Sequence, residues 1–510
     1  MTNVLRIKGF KPGDNISILN TYYKRYKDKD NHLRDLLTLV YKDLNTGMKY
    51  KEEIYDPDMT FYTAKPDCRV PYNRLFVPED EVIEHVTPKM DLDKNVADVL
   101  GLKSWYYDCI KSGDRDRAKE IHMHPDVFGT DINIEDFYRF EFDEKYTNEP
   151  FAPTKSYFDI EVDGIDMVGD FPELGECPVN AVTLIMLETH SVYTLLLRNS
   201  KNPQIAEFED FITNHGFNDL RKFIKNHVNK NGKDLYKKYE LDKFQFNMSF
   251  YDEDKEIDLI KDLFNLINTF RPDFVTAWNM PFDIPYIIQR IKNLGYNPED
   301  IMCDPDFEFK YAEYFVDEQH KNTPEERGDF AVISSYSVYI DQLIQFASRR
   351  KGQSKEVSYT LDHIGNIVAK IGKLDYKHIT TDISKLPYKN YKVFVYYNIM
   401  DTIVQHCIEF VAQDLDYILG KAIKNNTRYS KVHRQTTYLA NRGKKEFYHS
   451  DGMIMGNNAN RSNEKPTKKF PGAFVADPTK NSDKNKLRIA GRPVNIVDNS
   501  QDSDYKTMVA

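Results

Sequence analysis

The segment Phe158-Asp159-Ile160-Glu161-Val162 restricts the possible folds of this chain more than any other. Residues two apart on a strand share a face. Asp159 and Glu161 therefore project together from an otherwise apolar strand. Two carboxylates on one face repel each other unless a cation neutralises them. The segment is either a strand end that leaves both acids in water or one wall of a cation site.

Further acids stand where such a site would draw on them. Phe274-Val275-Thr276-Ala277-Trp278 reads as a short buried strand, and Asn279-Met280-Pro281-Phe282-Asp283 leads from it into the helical pattern IPYIIQRIKNLG, closed by Gly295. Asp283 is either a metal ligand or the N-cap of that helix, a position that favours Asp. Tyr397 and Asp401 are four apart in the helical run NYKVFVYYNIMDTIVQHCIEFVAQDL, so they share a face. Three acids thus come from strand ends or strand-to-helix junctions, where α/β sites form, and the fourth comes from a helix with a Tyr one turn away. Four convergent carboxylates suit two divalent ions, Mg2+ or Mn2+, with oxygen ligands. Two such ions stabilise the attacking and leaving oxygens in phosphodiester hydrolysis, and the Tyr397 hydroxyl could orient the attacking water.

The surrounding pattern is that of an α/β layer. KSYFDIEV, AVTLIMLE and VYTLLLR read as three adjacent strands, the last two joined by the turn THS, and a helix is expected over about 255–270. FEFKYAEYFVDE and GDFAVISSYSVYID read as two long strands around the polar tip QHKNTPEERG, a projecting hairpin near 307–332. Residues 1–150 mix β-like runs (VLRIKGF, SILNTYY, FYTAK) with polar loops and are expected to form an α+β accessory domain. The catalytic domain is expected over 151–415, a helical and basic connecting segment over 416–470, with a polar linker from about Asn457 to Lys469, and a further domain opening with PGAFV and RPVNIVD over 471–510.

Composition narrows the classes. The net charge of −10 does not favour a broadly basic nucleic-acid binder. Residues 421–470 run the other way, with twelve Lys/Arg against three acids, which is either a solvated basic surface or one that tracks phosphates. Five cysteines without a CxxC pair argue against a zinc or redox motif. The longest apolar runs are far short of a membrane span, so the expected location is cytoplasmic, with no membrane partner.

The order FDIE, NMPFD, YNIMD resembles the three exonuclease motifs of the DEDD nucleases, tyrosine subclass. More specifically it resembles the proofreading domain of family B DNA polymerases of the T-even phage type. The likeness extends to WN..FDIPY..RIKN, SYTLDHI, the IGKLDY run and PGAFV, and covers roughly 155–475. Only Met280 and Pro281 separate Asn279 from Phe282-Asp283, one residue fewer than in the T-even type. The resemblance implies a ribonuclease H-like domain, a mixed sheet with flanking helices. It implies Asp159, Glu161, Asp283 and Asp401 as ligands of two Mg2+ (or Mn2+) ions, Tyr397 as the residue that positions the water, and Asn279 as the Asn of the second motif. It places Phe171 where an aromatic wedges among unpaired bases; the alternative is a loop aromatic that packs locally. The partners implied are DNA (a single-stranded 3′ end or primer–template), replisome proteins, and an infected host cell as the setting.

Asp504 begins DYKTM, which resembles the start of the first palm motif, and the chain then ends at Ala510. The expectation is a palm incomplete in this chain, with synthesis dependent on a separate palm and thumb polypeptide or a longer chain. Two other functions remain open: a stand-alone DEDD exonuclease, and a non-enzymatic DNA-binding or assembly subunit.

Overall fold

The computed structural model describes residues 5–457 except 70–75, 166, 168–171, 231, 321, 353–355, 435–438, 440–441 and 444–451, with two further pairs at 488–489 and 492–493. Residues Met1–Asn457 form one compact unit and Asn458–Ala510 a second. Within the second, Arg488–Ile489 pairs antiparallel with Arg492–Pro493. Phe171, the PGAFV element, the linker after Asn457 and Asp504 lie outside the described residues.

The first unit begins with a three-stranded antiparallel meander, β1 (Ile16–Lys27), β2 (Leu33–Asp43) and β3 (Lys49–Tyr55). VLRIKGF, read as β-like, forms no strand over its described residues 5–10. Strand β4 (Asp58–Ala64) pairs on one side with β6 (Val82–Pro88) and on the other with β7 (Val127–Phe128). The short β5 (Phe76–Pro78) pairs with Met453–Met455. Helix Ile134–Lys145 closes a core that includes Ile16, Leu37, Phe61 and Phe142.

The central sheet is mixed and has six strands. Its order is β11 (Gln245–Tyr251), β10 (Ser191–Leu197), β9 (Val179–Met186), β8 (Lys155–Val162), β12 (Phe274–Ala277), β15 (Val338–Asp341). The start at β8–β9–β10 is antiparallel, as its three-strand pattern predicts. Strands β8, β12 and β15 run parallel, so their carboxyl ends meet at one edge. Both faces are covered. Phe158 and Ile160 of β8 pack into a core with helices Glu256–Phe270 and Met280–Asn293. Tyr157 packs on the other side, with helix Tyr391–Ala412.

The hairpin differs from its sequence pattern. Only β13 (Ala312–Phe315) and β14 (Phe330–Ile333) pair, and β15 separates from β14 at Ser334–Ser337. The serines cause the break. Ser334 accepts the Tyr311 N–H at its hydroxyl, donates that hydroxyl to the Phe309 carbonyl at 2.9 Å, and accepts the Asp304 N–H at its own carbonyl. These bonds turn the backbone away from the ladder. The tip is also tied down, by Tyr359 donating to Glu325 at 3.0 Å and by Lys351 and Arg434 pairing with Glu326 and Asp317.

Candidate active site

Strand β12 pairs with β8 only as far as Tyr157. Asp159 and Glu161 extend beyond that pairing, on the face that Tyr157 shares with helix Tyr391–Ala412. The helix brings Asp401 over them. One carboxylate oxygen from each of Asp159, Glu161 and Asp401 lies within 4.8 Å of the others. Asp283 stands outside this group but close enough to interact electrostatically with Asp159 and Glu161. It is not an N-cap. The helix starts at Met280, Asn279 holds the cap position, and Asp283 sits buried in the first turn. Asn279 is exposed and has left-handed backbone (φ 74°), with no side-chain capping bond.

Enclosing these acids together raises their pKa values. Burial, then the Asp401 charge, pushes the Asp159 carboxyl up to about 7. Burial and repulsion from Asp159 and Asp401 push Glu161 well above the carboxylate range. Burial and Asp159 do the same to Asp283. Burial also raises Asp401, against the pull of Lys373. Asp401 Oδ1 is buried and has no hydrogen-bond partner among the described residues. An all-oxygen donor set with excess negative charge and a spare buried acceptor fits hard divalent cations.

Two neighbours were not predicted as site residues. Lys373 Nζ lies 2.5 Å from Asp401 Oδ2 and donates to the Tyr397 hydroxyl at 2.7 Å. Burial alone would lower the Lys373 pKa, but Asp401, Tyr397 and Asp159 raise it well above its usual value, so it stays an ammonium. Its loop is held by Asp362, which accepts the Lys373 N–H at 2.8 Å, and by His227 on the Gly372 carbonyl at 3.0 Å. Tyr376, from the same loop, meets the Tyr397 ring edge-on at 5.3 Å. Burial, then Asp401, keeps the Tyr397 phenol protonated throughout the ordinary pH range. The second neighbour is Asp341, at the end of β15. It caps the following helix by accepting the Ile344 N–H at 3.1 Å, and its charge is felt at Asp283. A carboxylate at the carboxyl end of a parallel strand was the available signal for Asp341.

The basic run is partly spent on the fold. Arg428 bonds Glu135 at 2.7 Å and Arg434 bonds Asp317 at 3.3 Å.

Against known families, residues 130–364 match the family described as DNA polymerase family B, exonuclease domain. The matched stretch contains Asp159, Glu161, Asn279 and Asp283, and ends before Lys373, Tyr397 and Asp401. The match supports an exonuclease domain of a DNA polymerase, with DNA as substrate. No curated protein matches the chain. Among the described residues, no helix is long and apolar enough to cross a membrane.

Proposed function

We propose that this chain carries the proofreading 3′→5′ exonuclease of a family B DNA polymerase of the T-even type, folded as a ribonuclease H-like domain. The observation that carries the reading is the convergence of Asp159, Glu161 and Asp401 within 4.8 Å at the carboxyl edge of the sheet, inside and just beyond the matched exonuclease stretch. Asp159, Glu161, Asp401 and the adjacent Asp283 would hold two divalent cations, Mg2+ or Mn2+. Held there, the cations supply the positive charge that stabilises both oxygens of the displaced phosphodiester bond.

The chain's own groups have separate tasks. Tyr397 stays a phenol and orients a water at its hydroxyl, with Lys373 fixing the direction of that oxygen. The Lys373 ammonium neutralises Asp401 and presents a cation to a phosphate. Asn279, exposed beside Asp283, and Phe171 contact the unpaired 3′ end; an aromatic at the second position stacks on a base. The non-catalytic reading, with purely structural acids, leaves unexplained why Asp401 Oδ1 is buried without a partner.

The test is a 5′-labelled single-stranded oligonucleotide with Mg2+ or with chelator. The expected product is a descending ladder that keeps the label and needs the metal. Label released first as mononucleotide would reverse the polarity, and cleavage in chelator would remove the metal from the mechanism.

A further inference from the structure

Helix Tyr391–Ala412 is buried on nearly all sides, yet a polar stripe runs along it toward β8. Glu409 bonds Lys155 at 2.9 Å, Gln405 Nε2 donates to the Phe158 carbonyl at 3.3 Å, and Asn398 reaches Asp159. The first two set the register of helix on strand. The third touches a carboxylate of the site.

Asn398 is fully buried. Its Nδ2 donates to Asp159 Oδ2 at 3.0 Å, and its Oδ1 accepts the Thr183 hydroxyl at 2.5 Å. Thr183 is the register partner of Asp159 on β9, and Thr194 is the partner of Thr183 on β10. The two threonine oxygens are 3.4 Å apart. Three strands therefore place Thr194, Thr183 and Asp159 in one row, and the amide bridges the last two.

The direction of every bond follows from the carboxylate. Ionised Asp159 only accepts, so the amide must turn its NH2 to it and its carbonyl to Thr183. Thr183 must then donate, which leaves its oxygen to accept from Thr194. One oxygen of Asp159 is thereby committed to the protein, and the other remains for a ligand. Partners of this kind around a metal ligand set its orientation, and their loss weakens affinity about 10–100-fold.

We propose that Asn398, locked by Thr183, is a positioning residue that fixes the Asp159 carboxylate for divalent-cation binding. The inference rests on the metal-dependent reading above.

The test is Mn2+ binding to the full chain without DNA, by titration calorimetry, with unfolding midpoints taken alongside. Asn398→Ala should weaken binding about 10–100-fold. Thr183→Val, which keeps shape and loses only the hydroxyl, should weaken it less. The double variant should bind no more weakly than Asn398→Ala alone, because Thr183 acts through the amide. Gln405→Ala, which loses a bond to the same strand but none to a carboxylate, should lower the midpoint and leave Mn2+ affinity within about twofold. Asp159→Ala separates the two levels of the argument. If wild type binds Mn2+, Asp159→Ala does not, and both Asn398→Ala and Thr183→Val bind like wild type, the positioning role is wrong and the metal site stands. Additive losses in the double variant also overturn the role. If wild type fails to bind Mn2+, the metal reading and this inference fall together.

Discussion

Replacing Asp273 with Ala should destabilise the protein far more than replacing either lysine that contacts it. Lys42 and Lys49 are register partners on β2 and β3, so two ammonium groups face each other. Asp273, fully buried at the start of β12, separates them: one oxygen lies 2.8 Å from Lys42 Nζ and the other 2.8 Å from Lys49 Nζ. It also accepts the Thr154 N–H at 2.7 Å and the Thr154 hydroxyl at 3.0 Å. Ala at this position leaves two buried like charges opposite one another, and removing one side of a buried ion pair costs about 3–5 kcal/mol. Lys49→Met is different. It loses the pair and a bond to the Arg271 carbonyl, but Lys42 still neutralises Asp273, and one ammonium no longer has to be desolvated. These effects offset to about 1 kcal/mol or less.

The same geometry fixes a pH dependence. Burial outweighs Asp273 and pushes the Lys49 ammonium down to about 8 from 10.5. Between those values the unfolded chain holds a proton that the folded chain has released, so stability rises with pH, by about 3 kcal/mol over the window. Lys49→Met should lose that rise. Urea unfolding followed by circular dichroism, at neutral pH and again between pH 8 and 10, measures both effects. An Asp273→Ala variant within about 1 kcal/mol of wild type, or a Lys49→Met variant as damaged as Asp273→Ala, would refute the reasoning.

Three further outcomes are expected. Asp159 is raised from 3.8 to about 7, so the folded metal-free protein binds the extra proton between those values. Its stability should therefore fall as pH climbs from about 4 to about 7, and Asp159→Asn should make that slope shallower in thermal melts with chelator, though not flat, because Glu161, Asp283 and Asp401 are raised too. Lys373→Met removes the cation beside Asp401 and Tyr397, and single-turnover cleavage should slow about 10²-fold with the fold retained. An added Cβ at Gly365 would stand 2.4 Å from the Ile371 carbonyl oxygen and 2.7 Å from Val404 Cγ1. Gly365→Ala should therefore lower stability by about 1–3 kcal/mol, read from the shift in denaturation midpoint.

The parts of the site set by local periodicity were legible in the sequence. Period two put Asp159 and Glu161 on one face, and a four-residue interval did the same for Tyr397 and Asp401. Convergence of the β8 pair with Asp401 is a tertiary fact, because the helix that carries Asp401 lies more than 200 residues along the chain from β8. Other parts depend on contacts between elements distant in sequence. Lys373 comes from a loop without periodicity, and Asn398 reads as one polar residue in an apolar helix until Thr183 and Asp159 flank its amide. The hairpin strands were drawn too long because alternation alone does not reveal that Ser334 binds the 304–311 segment. Asp283 read equally well as a cap, since only the structure shows that the helix has already begun at Met280.

The central claim is tested most directly on a 5′-labelled primer–template with Mg2+, comparing wild type with a variant carrying Asp159→Ala and Glu161→Ala. The account predicts stepwise shortening of the primer by wild type, and none by a variant that melts as a folded protein. Equal shortening by the variant would contradict the assignment of this carboxylate group as the exonuclease site.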